Sequence, residues 1–273
     1  MPLIVLLSLL PLLVGVGWLA RARRLRRERR DRVRELLLQA NAGGERFIVD
    51  SVDGLPEPAA RYLRHALAPE APLARTVEVS LRGSLRVAAD DWVPFEARQR
   101  ICAERGFIWE ARIGVLPRLF VEGADWLFGD EAGIEYALED WWPVVGQQGP
   151  DTARSALGRL MVELVWLPMA LTPQRGAHWT RGDQDRAVVT PSGSKTPMTV
   201  TVGDDGRLLE ASIVRRRVSP GGETSVAAYG VSVEQEERWG EYIVPVRLTA
   251  AWGIGTDDRQ DFMRISVDDL SWL

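Results

Sequence analysis

The sequence predicts a mainly β protein with accessory helices (α+β). A large curved antiparallel sheet or half-barrel carries a helix on its concave face, preceded by one transmembrane helix. Three observations predict this. From residue 77 onward, apolar and polar side chains alternate with a period of two over long stretches, the pattern of strands with one buried face. One apolar helical stretch, at 152–167, interrupts them. The first twenty residues carry no charged side chain and run straight into nine arginines, the arrangement of a membrane anchor with a basic flank.

The anchor is residues 1–20. Its apolar run, 3–20, is broken only by Ser8, Pro11 and Trp18 among Leu, Ile, Val, Gly and Ala. At helical rise it spans roughly 27 Å, close to the hydrocarbon thickness of a bilayer of about 30 Å. Trp18 ends the run, where an indole prefers the interface. A cleaved signal peptide is the competing reading, but no basic residue precedes the run and no small-x-small site leads into a neutral segment. Arginines 21, 23, 24, 26, 27, 29, 30, 32 and 34 follow instead. By the positive-inside rule they place the globular domain on the cytoplasmic side of a bacterial cytoplasmic membrane, as a single-pass protein. Trp18, Arg21, Arg23, Arg24, Arg26 and Arg27 are the expected membrane-surface contacts, each arginine contributing about 1 kcal/mol near anionic lipid.

Nucleic acid is excluded as a partner. Residues 1–34 hold nine arginines against two acids, which leaves the remainder with 25 basic and 36 acidic side chains and a net charge near −11. Such a domain repels phosphate backbones.

A basic juxtamembrane helix and linker occupy 21–54, with Val33, Leu36, Leu37 and Ala40 at helical spacing before Gly43-Gly44. One strand-rich domain follows at 55–273. It opens with a short helix after Pro56 and Pro58, whose stripe is Ala59, Tyr62, Leu63, Ala66 and Leu67. Strands are expected at 77–87, 93–101, 107–115, 119–123, 133–138, 185–190, 197–202, 207–218, 225–238, 242–252 and 261–267. Gly203-Asp204-Asp205-Gly206 is a hairpin turn between two of them. The helix between the fifth and sixth of these strands is capped by Asp151 or Thr152 and buries Ala153, Ala156, Leu157, Leu160, Met161, Leu164 and Val165. Pro168 ends it. The outward face of the sheet carries Arg and Glu residues paired across strands.

The search for chemistry is mostly negative. There is no phosphate-binding glycine loop, nucleophile elbow, HExxH or zinc spacing. One cysteine excludes a disulfide framework. No catalytic residue, metal ligand or cofactor is assigned, and the protein is expected not to be an enzyme. His65 is expected at the surface and His178 at a strand edge. Cys102 is expected on the polar face of its strand, without an activating neighbour. The Asp doublets at 90–91, 204–205, 257–258 and 268–269 point to opposite faces if extended, and three lie near turns where Asp is favoured anyway. Eleven tryptophans are the one enrichment. Trp141 and Trp142 before the helix, Leu160 and Leu164 on its apolar half, and Trp166 near its end are the candidate walls of an apolar pocket. The alternative is that the tryptophans fill a broad core.

Leu55-Pro56-Glu57-Pro58-Ala59-Ala60-Arg61-Tyr62-Leu63 resembles the opening motif of an uncharacterised bacterial domain-of-unknown-function family. Trp166-Leu167-Pro168 and Glu241-Tyr242-Ile243-Val244-Pro245-Val246 fit the same family, and the likeness runs from about 55 to 273. Its strand pattern is similar to the lipoprotein-carrier (LolA/LolB-like) half-barrels, which cup an acyl chain against a curved sheet. The resemblance implies an apolar-ligand role by fold analogy, which with the anchor above gives a non-enzymatic membrane-tethered module that binds a lipid or other apolar ligand. A scaffold or accessory subunit of a membrane assembly, with no small-molecule ligand, is the alternative.

Overall fold

In the computed structural model, placement is described for residues 2–38, 44–88, 91–218 and 224–273, with side chains of the first helix described from Val14 onward. The described residues hold three α-helices, α1 (Pro2–Leu38), α2 (Glu57–Ala66) and α3 (Pro150–Glu163). The strands form two meanders. The first is β1 (Thr76–Arg86), β2 (Trp92–Cys102), β3 (Gly106–Leu116), β4 (Leu119–Phe128), β5 (Glu131–Leu138) and β6 (Trp142–Gln148). The second is β7 (His178–Arg181), β8 (Arg186–Thr190), β9 (Met198–Val202), β10 (Leu208–Val218), β11 (Thr224–Trp239), β12 (Tyr242–Trp252) and β13 (Gln260–Trp272).

All pairings are antiparallel, and β1 against β13 joins the meanders into one thirteen-stranded sheet with β6 and β7 as its edges. Flat, such a sheet would span nearly 60 Å at about 4.8 Å per strand. It is not flat. α3, only about 21 Å long, touches both β5 and β10, which lie eight strand spacings apart. One apolar cluster takes side chains from all strands but β6. The sheet therefore curls around a single core, and the segment from α3 onward carries the chain across the concavity from one edge to the other.

The period-two pattern explains the strands. On β1, Val77, Val79 and Leu81 are buried and point into the core, while Arg82 on the other face pairs with Asp268 at 3.2 Å. On that outer face Arg100 pairs with Glu78 and Arg112 with Glu122. α2 closes part of the core, and all five residues of its expected stripe are buried. Eleven strands fall where the alternation puts them, and β6 and β7 are additional.

Three local expectations are corrected. α3 begins at Pro150, whose missing N–H costs nothing in a first turn. Asp151 therefore sits inside that turn, favourable to the helix dipole, rather than capping it. The helix ends at Glu163 and continues as 3-10 turns at Leu164–Trp166 and Pro168–Leu171. Leu157, expected on the apolar face, is 37% exposed.

Among the described residues no helix is long and apolar enough to cross a membrane. Most of the apolar run expected to be the anchor lies in the first thirteen residues, whose side chains are outside the described residues. Gly43, expected to end the juxtamembrane helix, is also outside them.

Candidate functional site

α1 is bound to the outer face of the sheet. Arg23, Arg26, Arg30, Val33 and Leu37 recur at spacings of three and four, so they share one face of the helix, and that face is the docked one. Asp140, in the turn between β5 and β6, accepts from Arg23 Nε (2.8 Å), Arg27 Nη2 (2.7 Å) and Arg30 Nη2 (3.2 Å). Arg26 Nη2 donates to the Asp140 carbonyl at 3.0 Å. Further along, Arg29 pairs with Glu135 of β5, and Arg34 Nε with Glu110 of β3 at 2.8 Å. At the C-terminal end Arg100 and Arg105 donate to the carbonyls of Arg34 (2.8 Å) and Leu36 (2.9 Å). These guanidiniums occupy acceptors the helix leaves open and complement its negative end.

Under the helix lies a second apolar cluster of Val33, Leu37, Cys102, Ile108, Ala124 and Trp126. Trp126 stands opposite Gly133, where any Cβ would meet the indole at 2.8 Å. Cys102, expected on a polar face, is thus wholly buried, because α1 converts that end of the face into a core. Burial pushes its thiol pKa up. Beside α1 the cross-strand ion pairs line an open trough of about 980 Å³.

The turn that receives the arginines is strained. Glu139 and Asp140 have φ of 51° and 58°, the left-handed conformation both central residues of a tight hairpin turn must adopt and that Asn-Gly normally supplies. Partners hold it. Glu139 Oε1 accepts from the Phe120 N–H at 2.8 Å, and Asp140 is fixed by the arginines. Burial alone would raise the Asp140 carboxyl, but the hydrogen bonds from Arg23 and Arg27 and the charge of Arg30 prevail and hold it below the usual carboxylate range.

Of the expected membrane-surface residues, Trp18, Arg21 and Arg24 are exposed, whereas Arg23, Arg26 and Arg27 are engaged at the Asp140 turn. The expected pocket residues are not gathered. Leu160, Leu164 and Trp166 are buried in the core, while Trp141 and Trp142 are 41% and 63% exposed at the edge strand. Trp166 is pinned there, its indole N–H donating to the Pro245 carbonyl at 3.0 Å.

An aromatic cleft of about 470 Å³ opens elsewhere, at the end of the sheet where β11 turns into β12 and β13 finishes. Trp239, Tyr242, Leu270 and Trp272 wall it, with Pro72 and Ala74 opposite. The Tyr242 and Trp272 rings lie 4.5 Å apart. Tyr242 Oη donates to the Pro72 carbonyl (2.7 Å), and Trp272 Nε1 to that of Trp166 (3.0 Å). Burial pushes the Tyr242 hydroxyl up to about 12. The Trp239 indole N–H finds no acceptor among the described residues. These residues escaped the sequence reading because 239, 242 and 272 meet only through β-pairing.

Inside the curl, α3 places Arg159 and Glu163 one turn apart over β2–β5. Arg159 reaches Glu163 (2.5 Å) and Asp125 (2.6 Å), and Gln99 donates to Glu163 (2.5 Å). Its guanidinium lies 4.9 and 5.0 Å from the Phe107 and Trp109 rings. Burial raises both carboxyls despite Arg159, and they in turn hold the arginine up against its own burial. Neither cleft is lined by Arg159, Glu163 or Asp125, so the cluster ties the helix to the sheet. His65, expected as a plain surface residue, is half-buried and bonds Glu236 at 2.8 Å, linking α2 to β11. No group of three His, Cys, Asp or Glu among the described residues could hold a metal ion.

An open antiparallel sheet, curled round one core and crossed by a helix, defines a β half-barrel. The chain belongs to the family of unknown function DUF6544, which matches residues 45–264. The match begins after α1, so the clasped helix stands outside the family region.

Among solved structures, the chain is similar to a LolA superfamily protein from Nitrosomonas europaea, at 11% identity and TM-score 0.38 over 79% of this chain and 92% of that one. It is also similar to a putative outer membrane lipoprotein-sorting protein domain from Vibrio parahaemolyticus, at 10% and 0.39 over 72% and 85%. A third is a β-barrel-like protein of domain of unknown function DUF1849 from Brucella abortus, at 10% and 0.26 over 73% and 98%. At these identities none carries a function across. No curated protein matches the chain.

Proposed function

We propose that this protein is a single-pass, membrane-tethered, non-enzymatic module that binds a lipid or other apolar ligand, with its domain on the cytoplasmic side. The aromatic cleft carries the reading. Its volume of about 470 Å³ lies within the roughly 300–1,000 Å³ of small-molecule sites, and aromatic walls with few polar groups are their usual lining. The tether rests on the uncharged run at 1–20 and the arginines after it, of which Arg21 is exposed to meet anionic headgroups, while Arg24, also exposed, is paired with Glu28 at 2.6 Å. A scaffold role is the second reading, favoured by the edges β6 and β7, each paired on one side only.

Native mass spectrometry of the full chain from mild detergent, beside Trp272→Ala, tests the ligand. A co-purifying apolar species lost in the variant is the expected result. A protein bound stoichiometrically, with no small molecule, would favour the scaffold. A C-terminal alkaline phosphatase fusion should be inactive and a fluorescent-protein fusion bright, and the reverse would move the domain outside.

A further inference from the structure

We propose that the tip of the first meander, Trp141, Trp142, Val144 and Val145 on the β6 edge, is a second membrane contact. It rests in the headgroup layer of the same bilayer that holds the N-terminal half of α1. This rests on the tether proposed above and adds a partner surface to it.

The strip is unusual for an exposed one. Every residue from 141 to 149 is exposed, and none is charged. Trp142 and Val144 are 63% and 50% exposed within three residues of each other. Contiguous exposed apolar side chains of this kind mark interaction sites, and an outer strand edge left so bare invites association. Pro143 removes one N–H from that edge, so addition of another strand is disfavoured and the side chains are left to do the recognising.

Geometry identifies the occupant. The Arg23 guanidinium lies 4.4 Å from the Trp141 ring centroid, and Arg26 Nη2 reaches the Trp141 carbonyl at 3.5 Å. Arg23 is three residues, or about 4.5 Å of helical rise, beyond Ala20, where the apolar run stops. Trp141 therefore stands within one helical turn of the level at which the anchor leaves the hydrocarbon. Tryptophan beside arginine at that level is the composition of an interfacial belt. The adjacent β3–β4 turn lies at the same end of the sheet and presents Leu116, 64% exposed, next to exposed Arg118. The rest of the domain is acidic and is repelled by anionic lipid. An uncharged strip with Arg23 stacked on Trp141 and Arg118 exposed at the neighbouring turn is the surface it can offer.

The test uses the full chain in vesicles of zwitterionic and anionic phospholipid. Cys102 is buried, so one added cysteine takes an environment-sensitive fluorophore selectively. Labels go at Trp18→Cys in the helix, at Val144→Cys in the strip, and at Asp130→Cys on the opposite end of β5. Trp142→Cys repeats the strip measurement at an independent position. Vesicle binding should blue-shift the emission at positions 144 and 142, and lipid bearing a nitroxide near the headgroup should quench it there, while position 130 stays unchanged in both. If position 18 is quenched while 144 and 142 behave like 130, the second contact is overturned and the tether stands. If position 18 is not quenched, the tether fails and the contact with it.

Discussion

Asp140→Asn isolates the charge that fastens α1 to the sheet. Asparagine keeps the side-chain shape and tolerates the left-handed conformation at φ 58° at least as well as aspartate, so the turn gains no strain. Of the three guanidiniums on the carboxylate, Arg27 has a side chain 54% exposed, and its share is a few tenths of a kcal/mol at most. Arg23 and Arg30, at 26% and 15%, are shielded from water. Hydrogen bonds to a charged group contribute about 1.5–3 kcal/mol. An amide oxygen retains part of each, so the net loss is about 2 kcal/mol in the docking of α1. At 1.36 kcal/mol per factor of ten, this is roughly a thirtyfold larger population of undocked helix.

Cys102 reports that population, because it is wholly buried beneath Val33 and Leu37 and becomes accessible when the helix lifts. Maleimide labelling of the full chain under native conditions should be about thirtyfold faster in the variant, since such labelling follows local opening. A rate within about twofold of the unmodified protein, where about 0.4 kcal/mol is all that could separate them, would refute the clasp as the element that holds the helix down.

Four other outcomes follow from the same contacts. The Asp140 carboxyl is depressed in the folded protein, so its contribution is fully present above its unfolded value near pH 4 and is lost as pH falls through the lower folded value; amide exchange along 24–37 should accelerate there, and undiminished protection would count against it. Arg159→Met leaves Asp125 and Glu163 buried without their cation and should cost about 3–5 kcal/mol in urea unfolding, as loss of one partner from a buried ion pair does. Leu164→Arg places a charge at a core position with no exposure and should unfold the domain by circular dichroism, since the penalty rivals a total stability of about 5–15 kcal/mol. Deleting residues 1–20 should leave the domain folded with Cys102 protected, whereas deleting 1–34 removes Val33 and the arginines and should leave Cys102 reactive.

The strands were legible because a sheet buried on one face writes period two into the sequence, as Val77 to Val87 does. β6 was not, because Trp142-Pro143-Val144-Val145-Gly146-Gln147-Gln148 is exposed on both faces and has nothing to alternate. β7 has four residues, too few for a period. Of the candidate site, the helical spacing of Arg23, Arg26, Arg30, Val33 and Leu37 was visible. Its acceptor was not, since Asp140 lies more than a hundred residues away in a turn whose sequence resembles many others. A run of arginines beside an apolar segment satisfies the rule for headgroups equally well, and only the fold separates those bound to the protein from those left free. The expected pocket residues lie apart for a related reason. Trp141 and Trp142 adjoin the crossing helix in sequence, but the hairpin turns them outward, and Trp239, Tyr242 and Trp272 converge across two strand pairings instead.

If the N-terminal half of α1 sits in a bilayer as proposed, the docked half would act as a mounting post rather than a leash. A flexible linker would let the domain sweep a hemisphere and meet targets at many heights and angles. The seventeen helical steps from Ala20 to Leu37 would fix the height at about 25 Å, and contacts at both ends of the docked stretch suppress rotation about the post. The aromatic cleft lies at the far end of the sheet from the Asp140 turn, so it is held at a nearly constant elevation and bearing. A partner of the cleft would have to approach in that plane, and inserting a single residue into the post between Ala20 and Arg23 would turn the whole domain by about 100° relative to the proposed anchor.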